Sequence, residues 1–421
     1  MIECRSLPDI AISDELFSRA HDLIPAGTGA GQFVRGVAPR YLQRGKGCHV
    51  WDVDGNEYID LIMASGPISL GYGYDAVDDA IRHQLGEGIT FSLTHPLELE
   101  VAEMIRDIVP GAEGIWFSKT GADVAGAAIR LAIAFTGRSK ILCCGYDGWY
   151  NCLIAPTDPH RSLTHTFYYN NLDSLEKSLD ESIACVILQP VAFEEPRDDF
   201  LQQVRRLCTE KGSVLIFDEM WTGFRIAIGG AQQYFGVTAD LACFSNALAN
   251  GMQLSVLTGR REIIQLIEKD VFSFTTFGGE TLSLAAAEAT LQELRKKEVP
   301  QHIAYWNDRL RDGYNRIAYE LNVPFTRCVG LDYRTMITFD ASAGDPLEMK
   351  SLVQQELIRH GVLWNGIHNL SASHQYKDIS HVLSAYADSL SILKCAVETK
   401  QVRQLIQGDP VEPMLRNVPA F

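Results

Sequence analysis

The chain has 421 residues, 46% of them hydrophobic, and its 37 basic and 53 acidic residues give a formal net charge of −16. That length and apolar content provide for a large core in more than one lobe. The acidic balance argues against a nucleic-acid groove and suits cationic or amine-bearing partners. The ten cysteines form no CxxC pair or regular framework, and several lie in apolar runs such as Lys140-Ile141-Leu142-Cys143-Cys144. They read as free thiols of a reducing compartment, and no metal site is expected from them. The segment Met1-Ile2-Glu3-Cys4-Arg5-Ser6-Leu7-Pro8-Asp9 has no cationic stretch leading into an apolar one, and no uncharged run approaches membrane-spanning length. A cytoplasmic location is expected.

In chain order, the first clear element is a hairpin at 50–60, where Asp54-Gly55-Asn56 makes a turn between alternating residues. Short apolar runs bounded by turn residues follow at 114–117, 141–144, 184–188, 214–217, 241–244 and 254–257, with helical periodicity between several of them, as at 124–135 and 200–211. Continuous apolar strands alternating with helices predict a largely parallel sheet covered on both faces. Beyond residue 300 come a long helical pattern, a strand at 333–339 and a final helix at about 384–400. The expected class is α/β. Residues 61–300 are expected to form a large domain, and 1–60 and 301–421 together a smaller α+β domain. No internal repeat or low-complexity tract interrupts the chain.

Several segments carry chemistry. Gly121-Ala122-Asp123 lies between a predicted strand and a predicted helix, where backbone N–H groups and the positive helix end suit a phosphate. Tyr146-Asp147-Gly148-Trp149 follows the next strand and offers an aromatic face to a planar heterocycle. In Phe217-Asp218-Glu219-Met220-Trp221-Thr222-Gly223-Phe224-Arg225, Asp218 ends a buried apolar strand. An ionised carboxylate there is costly unless a cation or hydrogen bonds compensate it, and both a structural salt bridge and a protonated heterocycle meet that need. Phe244-Ser245-Asn246-Ala247-Leu248-Ala249-Asn250-Gly251 and Thr275-Thr276-Phe277-Gly278-Gly279-Glu280 follow downstream.

Together with Phe117-Ser118-Lys119-Thr120-Gly121-Ala122-Asp123, these segments resemble the class III, fold-type I aminotransferases that use pyridoxal 5'-phosphate (PLP). Ile129-Arg130-Leu131-Ala132, Ala134-Phe135-Thr136-Gly137-Arg138 and Phe277-Gly278-Gly279-Glu280-Thr281-Leu282-Ser283-Leu284 look most like the glutamate-1-semialdehyde aminomutase-like branch. The resemblance runs from 41 to 408 and implies a fold-type I PLP-dependent transferase with a mostly parallel central sheet flanked by helices. It also implies a cofactor in its pyridoxal, pyridoxamine or substrate-imine form. Thr120, Gly121 and Ala122 would then grip the phosphate, with Ala122 replacing a frequent serine. Tyr146 would stack on the ring beside Gly148, and Asp147 stands where the family has histidine. Asp218 would keep the ring nitrogen protonated and so make the ring an electron sink. Thr276 would reach the phosphate of the neighbouring subunit's cofactor, which makes a homodimer a requirement. Arg225 would orient substrate or pair with an acidic neighbour, and Glu219 and His368, the latter in Gly361-Val362-Leu363-Trp364-Asn365-Gly366-Ile367-His368, are candidate substrate contacts.

At position 246, where that family carries its Schiff-base lysine, this chain has asparagine. An amide cannot hold the aldehyde, speed amine exchange or shuttle a proton. General acid–base catalysis alone contributes about 10² to 10⁴ in rate, so ordinary transamination is expected to be severely impaired. Asn246 is read as an engineered trap, as natural divergence, or as a loss covered by another lysine such as Lys119. Divergence would lead to a lysine-free lyase or dehydratase or to an inactive binding paralogue, and Gln253 and Gln189, where relatives usually have proline and glutamate, favour it. Members of the branch act on amino sugars, so the expected substrate is an amino sugar or aminoglycoside.

Overall fold

The computed structural model describes residues 6–21, 23–24, 33–144, 163–191, 193–269, 271 and 275–412. The chain divides into two units, one holding residues up to 65, 70–74 and those from 302 onward, the other 66–69 and 75–301. Three strands come first, β1 (Leu42–Lys46), β2 (His49–Asp52) and β3 (Glu57–Asp60). The next seven are β4 (Gly114–Ser118), β5 (Lys140–Cys144), β6 (Thr164–Phe167), β7 (Ile183–Leu188), β8 (Val214–Asp218), β9 (Leu241–Phe244) and β10 (Ser255–Gly259). The last four are β11 (Thr326–Leu331), β12 (Arg334–Phe339), β13 (Val362–Leu363) and β14 (Ile367–His368).

In the 75–301 unit, one seven-stranded sheet runs β4-β10-β9-β8-β7-β5-β6. β6, β5, β7, β8 and β9 pair in parallel, while β10 is antiparallel to both β9 and β4. The carboxyl ends of β4, β5, β7, β8 and β9 therefore share one edge, the usual place for a ligand in such sheets. All residues of β7, β8 and β9 are buried, as unbroken apolar runs require when helices cover both faces. The helix Gly121–Thr136 packs against β7, β8, β9 and β10 with its buried Val124, Ala128, Leu131 and Ala132, recurring at helical spacing. β6, Thr-His-Thr-Phe, lay outside the expected strands because it is a half-exposed edge strand without an apolar run.

The other unit holds β1-β2-β3-β13 and β11-β12-β14. The expected hairpin is β2 and β3, where Asp52 accepts from Asn56 N at 2.8 Å and from the Tyr58 hydroxyl at 3.0 Å. The helix expected near the end is Tyr376–Glu398, starting earlier than its apolar pattern because Gln375 and Asp378 form a capping box on a polar first turn, and a short helix, Val402–Leu405, follows it. Trp364, Tyr314 and Tyr386 are wholly buried at the centre of this unit's core. The eight described cysteines are free, and seven of them are buried. Among the described residues no helix is long and apolar enough to cross a membrane.

Candidate active site

Asp218 closes β8, near the middle of the large sheet, and is 6% exposed. Met220 N donates to its Oδ1 at 2.9 Å, and burial pushes its carboxyl up to about 6. Among the described residues no cation pairs with it. On the adjacent strand, Asp218 pairs with Cys243, and three residues later β9 has given way to Asn246. Asn246 is half-buried at the head of the one-turn helix Asn246–Ala249, which ends at Asn250 with φ 43°. Its backbone neighbours are pinned: Ser245 Oγ donates to Leu254 O at 2.9 Å and Leu248 N to Ser245 O at 2.8 Å.

At the end of β4, Thr120 caps the helix Gly121–Thr136, and Asp123 completes a capping box while also accepting from Ser118 Oγ at 3.0 Å. The box leaves the N–H groups of Gly121 and Ala122 without a partner among the described residues, aimed outward at the positive end of a long helix. A Cβ on Gly121 would sit 2.8 Å from Met220 Sδ, so this turn lies against the side chain that follows Asp218. Met220, which sequence reading did not single out, is thus the link between the two motifs; its only signal was its place two residues after Asp218. Thr276 is exposed in a turn whose Gly278 could not carry a Cβ without coming within 2.9 Å of Phe117 O, so that turn is set against the end of β4. Lys119 Nζ is held at 2.7 Å by Glu280 Oε1, at 3.0 Å by Gln253 O and at 3.2 Å by Ser283 Oγ. Tyr146, Asp147 and Gly148 lie outside the described residues.

Residues 33–170 and 155–373 match the family model of class-III aminotransferases. The chain is 33% identical over 408 residues to the 3-aminobutyryl-CoA aminotransferase of Cloacimonas acidaminovorans, covering 91% of this chain and 98% of the relative. This chain belongs to the class-III aminotransferase family. It is also 30% identical over 426 residues to the glutamate-1-semialdehyde 2,1-aminomutase of Syntrophobacter fumaroxidans, again covering 91% and 98%. The FumI protein of Sphingopyxis sp. MTA144, solved with PLP, superposes with a TM-score of 0.84 at 26% identity over 95% of this chain and 98% of that one.

Three of the residues expected near substrate have other work in this class-III aminotransferase chain. Glu219 is fully buried and turned toward the start of the helix Gly230–Phe235, where Oε2 accepts from Ala231 N at 2.6 Å and Thr222 Oγ1 at 2.7 Å, and Oε1 from Gln232 N at 3.0 Å. Burial pushes its carboxyl up to about 7. Both of its oxygens are thus engaged by protein donors. Glu219→Ala leaves three interior donors without an acceptor at about 1–3 kcal/mol each. The expected loss in urea unfolding is at least about 3 kcal/mol, whereas wild-type stability with a raised KM would return Glu219 to the substrate. Arg225 is likewise fully buried, its Nη2 donating to Gly66 O and its guanidinium 5.1 Å from the Trp221 ring, so it braces the segment at 66–69.

His368 belongs to the other unit and is fully buried, with Nδ1 2.8 Å from Thr335 Oγ1 and Nε2 2.8 Å from the Tyr386 hydroxyl. Both ring nitrogens are thus engaged inside the core. Burial drives its pKa down to about 3, below the unfolded value of about 6.5. Its stabilising contribution is therefore complete above about pH 6.5 and falls as the pH drops toward 3, by about 1.4 kcal/mol per pH unit. His368→Gln is expected to flatten the decline of Tm between about pH 6 and 4, read by thermal melts across that range. An unchanged slope would count against it.

Proposed function

We propose that this chain binds PLP, or its pyridoxamine form, at the carboxyl edge of the seven-stranded sheet, and that Asn246 leaves it impaired in transamination of a primary amine. The observation that carries this reading is Asp218, a buried carboxylate with no cation beside it among the described residues. A protonated ring nitrogen is the partner such a group lacks. The donor set at the end of β4 fits the other end of the cofactor: the amides of Gly121 and Ala122, without a partner among the described residues, the Thr120 hydroxyl and a helix N-terminus suit a phosphate dianion. PLP, when bound, supplies an electron sink for the bonds at the amine-bearing carbon.

The chain's own residues divide the remaining work. Asp218 would hold the ring proton, the resemblance would give Tyr146 and Gly148 the ring face, and the partner subunit's Thr276 would complete the phosphate grip in a homodimer. The Asn246 amide can hydrogen-bond but carries no proton between carbon atoms at neutral pH. Lys119 does not replace a lysine there, because Glu280 and Ser283 hold its ammonium. The free thiols suit the cytoplasm.

The substrate reading is an amino sugar or aminoglycoside, resting on the aminomutase-like motifs and the net charge of −16. The relatives named above act on 3-aminobutyryl-CoA and glutamate-1-semialdehyde, so a substrate panel must include amino-acid-derived amines. The second reading is a lysine-free lyase or dehydratase, or a binding paralogue, and it is favoured by Asn246 together with the engagement of Lys119 by Glu280.

The test begins with equilibrium binding of PLP, followed by quenching of tryptophan fluorescence, and continues with product analysis over both amine classes. Amino transfer yields a ketone or aldehyde, elimination yields a lost leaving group, and a binding protein yields neither. Failure to bind PLP would end all three readings.

A further inference from the structure

We propose that Cys48, His49 and Asp378 form a binding site for a divalent transition-metal ion, with zinc the best match to their donors. Cys48 and His49 lie at the head of β2, and Asp378 in the first turn of the helix Tyr376–Glu398. One ligand atom from each, a sulfur, an imidazole nitrogen and a carboxylate oxygen, all fall within 4.8 Å of one another, and among the described residues this is the one such group. His49 Nε2 is 3.2 Å from Asp378 Oδ1. Ligands bonded tetrahedrally to zinc at about 2.0–2.3 Å stand about 3.3–3.6 Å apart, so small side-chain rotations bring all three onto one ion.

Glu57 Oε1 lies 2.9 Å from His49 Nδ1. Glu57 thus stands on the Nδ1 side of the ring, where a carboxylate would hold the proton on Nδ1 once an ion took the place of the Nε2 hydrogen bond to Asp378, as around metal-bound histidines. Cys48 and Asp378 are buried, while the His49 side chain is 26% exposed and leaves a route of entry. The plainer role for Asp378 is helix capping, and its Oδ2 does accept from Gln375 N at 2.9 Å. Its Oδ1 faces His49 Nε2 at 3.2 Å, a hydrogen bond that an ion would replace, and capping does not require the Cys48 thiol to join them. Sulfur with imidazole selects zinc over magnesium or calcium. A bound ion would tie β2 to the last long helix within one unit.

The test is titration of the full, chelator-treated chain with Co²⁺ and Zn²⁺. The expected result is one equivalent per chain, with Co²⁺ giving a sulfur-to-metal charge-transfer band that Cys48→Ser abolishes. Zn²⁺ should raise the Tm of the parent chain but not of His49→Gln, whose partly exposed ring makes it the variant to rely on if Cys48→Ser does not fold. Glu57→Gln, acting through His49, should weaken binding by about 10- to 100-fold. Absence of the band, or a Zn²⁺-induced rise in Tm that survives in His49→Gln, would overturn the proposal.

Discussion

Asn246→Lys is expected to raise amine-to-carbonyl turnover by about 10²- to 10⁴-fold, the contribution of one well-placed proton-transfer group. The position favours the gain. Asn246 follows the strand next to Asp218, its side chain is half-buried, and the turn that carries it is fixed by Ser245, Leu248 and Leu254, so a new side chain would change the site without moving the backbone. PLP affinity should rise with it, because a lysine adds a covalent hold to the noncovalent one. Rapid product assays with stoichiometric PLP, run beside the parent chain, measure the gain. A folded variant that binds PLP and shows no gain would place the missing group elsewhere.

Asp218→Asn should act in two opposite directions. Loss of a charge-assisted hydrogen bond, about 1.5–3 kcal/mol, predicts PLP binding weaker by roughly 10- to 150-fold. The PLP-free protein, by contrast, should gain stability. Burial raises the Asp218 pKa to about 6 from the usual 3.8, so the charged form costs the fold stability as the pH rises between those values, and that cost is fully present at pH 7.5. Asparagine removes it. Higher Tm without PLP together with weaker PLP binding is the signature of a residue kept for its ligand. A lower Tm would mean that Asp218 is structural.

Most of the large sheet was legible because its strands are short, wholly apolar runs with turn residues between them. Asp218 was legible for the same reason: a carboxylate at the end of Val-Leu-Ile-Phe calls for compensation. The partners of Glu219 and His368 were not. Glu219 spends its oxygens on a helix that begins eleven residues later, and His368 on Thr335 and Tyr386, contacts made by tertiary packing that leave no local periodicity. Lys119 and Glu280 pair across 161 positions, which no spacing rule anticipates. The cluster of Cys48, His49 and Asp378 was hidden likewise, since its parts lie 329 positions apart and the cysteine spacing shows no metal pattern. The early start of the helix Tyr376–Glu398 came from capping chemistry, which outweighed the apolar pattern.

The central claim is that PLP sits beside Asn246 with no lysine able to replace the missing one. Borohydride treatment of the PLP-saturated chain, followed by intact-mass and peptide analysis, tests it most directly. The parent chain should keep its unmodified mass and release its PLP on denaturation, while Asn246→Lys should be labelled at position 246. Labelling of the parent chain at Lys119, or at any other lysine, would contradict the claim and mean that the chain has kept a covalent hold on PLP by another route.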